Sequence, residues 1–466
     1  MLFNSYVFLF GFLPGVMLGW WTLRPKYSRL AFLTGASWVF YAWWDWRFLP
    51  LMLSTTTVDY VAALALGRTE TERRRRALLI GSLSINLALL GYFKYAGFFL
   101  GSLDGIGGAL GLSVAVPRPH ILLPIGISFY TFNSMSYTID VFTRRVVPTR
   151  HMLEYTTFVA LFPHLIAGPI VRFADLAGQL RWPRRALTSR AAAIGTFFLA
   201  CGLAKKLLIA DWLAPHVDRL FADPGQLGLV SAWAAAVGYS LQLYFDFSGY
   251  SDMAIGLAWL IGFRFPQNFN SPFKAANIAD FWRRWHMSLS AWIRDYVFIP
   301  LGGSRRGTRR TTVNLLVTMF LAGLWHGAAW TFVVWGLVHG ALLGGHGLLR
   351  KAGLTPGSPY VGRVFTFASV VAAFVIFRSP SLHSAWTILS AMAGRGGLES
   401  MRHLDSLVSG RFALTLLILL VFVQVAPNTW EIRAKPRTLY GIATGLAAGL
   451  AIMTIAKPHP FIYFQF

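Results

Sequence analysis

The feature that most limits how this chain can fold is a repeated alternation of long apolar runs with short segments rich in arginine. An apolar run of roughly twenty residues is what a helix needs to cross a bilayer. The plainest separator is RTETERRRR, residues 68–76. Only 13% of the 466 residues are charged and mean hydropathy is +0.54, whereas a soluble domain carries about 25% charged residues. The chain therefore reads as an all-α polytopic membrane protein. Its net charge of +24 sits in the short separators, as the excess of Lys and Arg in cytoplasmic loops requires. No hydrophilic basic domain is present, so no nucleic acid is expected as a partner. The lone Cys201, in FFLACGLAKKLLIA, excludes a disulfide framework and a cysteine-based zinc site. The opening MLFNSYVFLFGFLPG lacks a basic n-region and an A-x-A site, so it reads as a retained first span.

With residues 68–76 in the cytoplasm, residues 5–22, 30–44 and 48–66 form the first three spans. Residues 77–100 cross outward to a Gly-rich external stretch at 101–118, and 120–142 return. Basic residues flank 151–171 on both sides, and FPHLIAGPIVR within it has the Pro and Gly of a re-entrant segment. Residues 191–210 cross outward, 211–223 lie outside, and 229–247 return. From Tyr250 to Pro300 the Pro, Asn and Arg content predicts a broken hairpin dipping into the bilayer. Irregular backbone at that depth is tolerated only where protein buries it or water lines it. Residues 311–327, 330–349, 361–377, 414–426 and 439–455 then alternate and leave the C-terminus external. The expectation is about eleven or twelve transmembrane helices plus re-entrant segments. No internal repeat divides the chain, so residues 1–466 read as a single integral-membrane domain.

An ionisable side chain in an apolar span is costly and marks a functional site by default. His286 follows Trp285 in ADFWRRWHMSLSAW, and His326 follows Trp325 in LAGLWHGAAW. His326 stands about 16 residues past Arg310, about 24 Å along a helix rising about 1.5 Å per residue. An imidazole there can take a proton from a hydroxyl near neutral pH, as acyl transfer from a thioester requires. It can equally satisfy a backbone carbonyl at an interface. Gly323 and Gly327 open space around the ring for a ligand or a neighbouring helix. His286, beside Arg283 and Arg284, is a second candidate or an interfacial anchor. Asp246 and Asp252, in YFDFSGYSDMAIG, are expected to pair with Arg283 and Arg284 and hold those guanidiniums desolvated and oriented. Lys94, in FKYAGFF, reads as a snorkelling side chain within a packing segment. His164, His339 and His346 lack metal-ligand spacing and a nearby carboxylate, so no metal is expected. At the end of the chain FIYFQF offers an aromatic anchor. Alternatively Tyr463 is an acyl relay, its phenol made nucleophilic as His326 takes the proton.

Several long segments carry a resemblance: FYAWWDWRFL, LLGYFKYAGFF, LPIGISFYTFNSMSYTIDVF, NFNSPFKAANIADFWRRWHMSLSAWIRDYVFIPLGGSR, LAGLWHGAAWTFVVWG and APNTWE. Nearly end to end, the chain resembles the membrane-bound O-acyltransferase (MBOAT) family in its bacterial alginate O-acetylation branch. Asn133 departs from the Gln expected after SFYTF, away from the histidines. The resemblance implies an MBOAT-like ring of helices around a central tunnel. His326 would be the catalytic histidine and His286 the second one, with Arg283, Arg284, Asp246, Asp252, Trp325 and Asn270 as the supporting shell. It implies acetyl-CoA or an acylated carrier as donor, a multi-pass place in a bacterial inner membrane, and a periplasmic or extracellular acetyltransferase partner. That partner would finish the transfer, so the polysaccharide acceptor is reached indirectly. The small membrane protein of the D-alanylation system ends in an aromatic-tyrosine motif similar to FIYFQF. Alginate, cellulose and peptidoglycan stay open as acceptors, and D-alanyl transfer to a cell-wall polymer is the alternative acyl chemistry. A non-enzymatic transporter would call for intramembrane carboxylates and inverted repeats; no repeat is visible.

Overall fold

A computed structural model describes residues 1–111, 121–355, 357–399, 404, 408–434, 438–455 and 461–462. Among them every regular element is a helix. The residues gather into two compact units. The first is Met1–Thr196 with Ala254–Pro266, and the second Phe197–Met253 with Gln267–Phe466.

In the first unit, a π-helical stretch Val7–Phe12 leads into α1 (Leu13–Thr22), then α2 (Lys26–Asp45), α3 (Leu49–Arg68), α4 (Glu72–Leu90) and α5 (Ala96–Ala109). They are followed by α6 (Ile127–Phe142), α7 (Met152–Ala160), α8 (Phe162–Leu165), α9 (Phe173–Arg181) and α10 (Ser189–Ala204), whose last residues belong to the second unit. Helix α6 packs against α3 and α4 and is buried along almost its whole length. A helix buried on every side needs protein partners for its polar groups, and several of them have one. Tyr155 Oη donates to Ser134 Oγ at 3.2 Å. Behind α6, the fully buried Asp59 accepts from Ser82 Oγ and Asn86 Nδ2. The half-buried Lys94 donates from Nζ to Ser128 Oγ on α6 at 3.2 Å. Helix α7 has nine residues, about 14 Å at 1.5 Å per residue and too short for a bilayer of about 30 Å. Residues 154–171 are all buried.

The second unit contains α11 (Asp211–Ala222), α12 (Leu229–Leu260, whose last residues belong to the first unit), α13 (Ile278–Arg284), α14 (Met287–Ile293), α15 (Gly307–His326) and α16 (Trp330–Lys351). Then come α17 (Pro359–Arg378), α18 (Leu382–Met392), α19 (Gly410–Val425), α20 (Thr429–Ala434) and α21 (Thr438–Met453). The densest pairing is α15 on α16, and glycine makes it possible. A Cβ at Gly336 would lie 2.3 Å from the Met319 carbonyl oxygen, and one at Gly323 would lie 2.2 Å from that of Phe332. The space that Gly323 and Gly327 leave is thus taken by α16 and the Phe332 ring, not by a ligand.

One local expectation is corrected and two gain detail. The Gly-rich stretch after Leu100 is helical as far as Ala109. In residues 211–223, α11 is a helix that buries Leu213, Val217, Leu220 and Phe221 along one face. Helix α12 does not end near Phe247 but runs unbroken for 32 residues to Leu260, so Tyr250 to Leu260 belongs to it and the irregular segment begins later. Helix α18 was not expected at all, although Ser381 caps it and Ala385, Ile388, Ala391 and Met392 form its buried stripe.

Among the described residues, five helical stretches are long and apolar enough to cross a membrane: Lys26–Arg68, Glu72–Ala109, Ser189–Ala222, Trp330–Lys351 and Pro359–Arg378. The first of them holds both α2 and α3.

Candidate active site

His286 sits in the irregular second-unit segment between α12 and α14. It precedes α14 with φ 41° and ψ 55°, a left-handed conformation that costs a non-glycine residue about 1–2 kcal/mol. Ser271, in the same segment, is left-handed as well. Strain of this kind persists only where the surroundings over-determine it, and Asn268 supplies the determination. Its backbone carbonyl accepts from Met287 N at 2.9 Å. Its side-chain Oδ1 accepts from Ser288 N and Ser288 Oγ and lies 3.1 Å from His286 Nδ1, while its Nδ2 donates to Ser251 Oγ on α12. The Ser288 backbone N–H can only donate, so the Asn268 atom facing His286 is the oxygen. The Nδ1 of His286 must then carry a proton, and in the neutral ring that leaves a lone pair on Nε2. Nε2 is buried and has no hydrogen-bond partner among the described residues.

His326 is the last residue of α15, where the chain turns through extended Gly327 and Ala329 into α16. It is 4% exposed. Its ring meets those of Trp325 and Trp335 at 5.0 Å and Phe377 at 5.3 Å. Trp325 also lies 6.1 Å from the His286 ring. One indole thus touches both imidazoles. On the far side, Trp335 stacks edge-on with His339, whose Nδ1 accepts from Trp282 Nε1 at 3.3 Å. His339 is therefore held as part of an aromatic wall. His164, in the first unit, pairs with Asn133 instead.

The expected pairing of arginine with the α12 carboxylates is not found. Arg284 Nε lies 3.0 Å from Asp280 Oδ2, and Arg283 lies 3.9 Å from Asp280 Oδ1. Both pairs are one helical turn long within α13, the cheapest arrangement for residues three and four apart. Asp252 pairs with Lys205 at 2.6 Å and accepts from Thr429 Oγ1. Asp246 pairs with Lys206 at 2.5 Å, and Lys206 also reaches Asp211 at 2.8 Å. The two lysines stand side by side in an apolar run, so the signal that marks the histidines marked them too. Asn270 joins the shell through its backbone, which exchanges hydrogen bonds with Arg284, and its Oδ1 accepts from Asn428 Nδ2.

Asp246 has a second partner. The backbone N–H of Ile462 donates to its Oδ2 at 2.9 Å. The preceding Phe461 is 2% exposed and stacks on Tyr250 at 4.6 Å and near Phe247 at 5.6 Å. Phe247 in turn meets the His286 ring edge-on at 4.6 Å. Phe461 and Ile462 are thus held inside the protein, one ring away from His286. Tyr463, Phe464 and Phe466 lie outside the described residues.

An all-helical membrane chain with two buried imidazoles around one tryptophan defines a class, and comparison with known proteins supplies the family. The profile of the MBOAT, membrane-bound O-acyltransferase family matches residues 128–361. The probable alginate O-acetylase of Azotobacter vinelandii is 47% identical over 85% of this chain and 79% of its own length. The peptidoglycan O-acetyltransferase of Helicobacter pylori is 37% identical over 87% and 82%. The teichoic acid D-alanyltransferase of Bacillus subtilis is 29% identical over 57% and 73%. The chain belongs to the membrane-bound O-acyltransferase family. It is an acyltransferase, embedded in the membrane through several spans.

Proposed function

We propose that the protein takes acetyl groups from a cytoplasmic thioester, acetyl-CoA or an acylated carrier, and passes them across a bacterial inner membrane for O-acetylation of a polysaccharide of the alginate type. The observation that carries this reading is the pair of buried histidines sharing Trp325, one of them with an unpartnered Nε2. In the transfer, an acceptor hydroxyl oxygen attacks the thioester carbonyl carbon while the His326 imidazole takes the hydroxyl proton. The carbon–sulfur bond breaks, and the thiolate leaves with that proton, so the ring is restored. His286, held by Asn268, orients or polarises the thioester. About eleven or twelve spans and re-entrant segments in one integral-membrane domain, arranged as a ring around a tunnel, complete the reading.

The acceptor hydroxyl in this scheme is that of Tyr463. Support comes from the anchoring of Phe461 and Ile462, which fixes the chain immediately before it. The acetyl ester would then go to a periplasmic or extracellular acetyltransferase partner, so no polysaccharide need enter the protein. D-alanyl transfer is the weaker alternative, because the D-alanyltransferase relative aligns with little more than half the chain. The test uses purified protein, an acetyl thioester and the polymer-modifying partner. His326→Ala should abolish transfer in a protein that still folds and inserts, and wild-type rates in that variant would make His326 structural. Tyr463→Phe should stop polymer acetylation while insertion is unchanged; normal acetylation would leave the tail as an anchor only.

A further inference from the structure

The basic turn between α3 and α4 divides its arginines between different tasks. Arg75 is buried, and its guanidinium donates to the carbonyls of Leu66, Thr69, Val141 and Phe142, closing the hairpin onto the end of α6. Arg76 pairs with Glu72 one turn away. Arg73 and Arg74 are exposed and have no ion pair or hydrogen bond among the described residues. Arg74 stands at the mouth of a groove of about 1110 Å³ that runs along the hairpin. Its walls are apolar, with Leu53, Val58 and Val61 from α3 and Leu78, Gly81 and Ile85 from α4. From Thr69 at the mouth to Leu53 at the far end, the groove follows α3 for about 24 Å at 1.5 Å per residue. That is deeper than one leaflet, about half of a 30 Å core. Beyond its chain neighbours and the nearby backbone of its own helix, no described atom lies within 4 Å of where a Cβ on Gly81 would be, so the groove is open there. Both walls belong to stretches long and apolar enough to cross a membrane.

We propose that this groove binds an anionic phospholipid, with an acyl chain along α3 and α4 and the phosphate held by Arg74. An apolar channel in a membrane-crossing hairpin is filled by hydrocarbon. A guanidinium pairs a phosphate through two parallel hydrogen bonds. Juxtamembrane arginines favour anionic headgroups over zwitterionic ones by about 1 kcal/mol each. The neighbouring Arg73 adds to the preference, whereas Arg75 and Arg76 are already committed.

Full-length protein in phosphatidylcholine nanodiscs, doped with a photoreactive phosphatidylglycerol or a photoreactive phosphatidylcholine, tests this by peptide mapping of the labelled residues. Phosphatidylglycerol should label the α3–α4 groove more strongly than phosphatidylcholine. Arg74→Ala should lower that preference about fivefold, and Arg74→Lys should keep most of it. Gly81→Leu, whose side chain enters open space, should suppress groove labelling by both lipids in a protein that remains monodisperse. Equal labelling by the two lipids, indifferent to Arg74→Ala, would mean unselective boundary lipid and overturn the proposal. Crosslinks from Ile85 to a second protein copy would overturn it too, by showing that protein fills the groove.

Discussion

At the scale of single residues, the buried ion pairs set the sharpest expectations. Lys206 is 2% exposed and held between Asp246 and Asp211. Removing one member of a buried pair leaves an uncompensated charge and costs about 3–5 kcal/mol. Lys206→Ala should therefore lower thermal stability in detergent severely, and Asp246→Asn combined with it should recover part of the loss. Arg284→Ala should cost far less, since its partner Asp280 is partly exposed within the same short helix. An Arg284→Ala defect as large as that of Lys206→Ala would contradict this assignment. Both histidines were legible in the sequence, because an imidazole in an apolar run is conspicuous whatever it touches. Their partners were not. Asp246 chose Lys206 over Arg284 because residues 206 and 246 meet where α12 packs, and nothing in either local segment records that meeting. Asn268 was unremarkable as a residue, and its importance appears only when its amide closes on His286, Ser288 and Ser251 together.

At the scale of elements, the α15–α16 contact carries His326 and depends on absent side chains. Gly336→Ala would force a methyl to 2.3 Å from the Met319 carbonyl, and overpacking of this kind costs about 1–3 kcal/mol. Thermal unfolding and acyl transfer should both suffer. Gly345→Ala on the same helix meets open space and should be silent in both. Outside the spans, Glu399 caps the start of α12 by accepting from the backbone N–H groups of Gly228, Val230 and Ser231 and from Ser231 Oγ. Partial burial would raise its carboxyl, but the Ser231 hydroxyl and the backbone donors outweigh it and hold the group at about 2, below its ordinary 4.5. A depressed value means that the cap's contribution is fully present above pH 4.5 and is lost as pH falls towards 2. Glu399→Gln should therefore be less stable than wild type at pH 7, and the gap in thermal midpoint should shrink between pH 4.5 and 3. A gap that holds constant across that range would show that the charge does not matter. The periodic apolar runs made α15, α16 and α17 legible to within a few residues, since burial and lipid reward the same composition. The amphipathic α11 and α18 escaped because short helices with a narrow apolar stripe resemble polar connections in a chain this hydrophobic.

At the scale of the whole molecule, residues far apart in sequence converge on one place. Helix α12, the irregular segment with His286, the end of α15 and Phe461 meet around Phe247, Trp325 and the two imidazoles. The irregular segment was recognisable from its Pro, Asn and Arg content, and the short buried α7–α8 from its Pro and Gly. The docking of Phe461 and Ile462 was not, because a backbone N–H bound to a distant carboxylate leaves no trace in composition. The central claim is that this constellation moves an acyl group from a thioester to a hydroxyl across the membrane. Its most direct measurement is in proteoliposomes supplied on the donor side alone with an isotopically labelled acetyl thioester. Wild-type protein should carry the label as an oxygen ester to the opposite face, and His326→Ala and His286→Ala, inserted to the same extent, should not. Label crossing at the wild-type rate in His326→Ala would contradict the account.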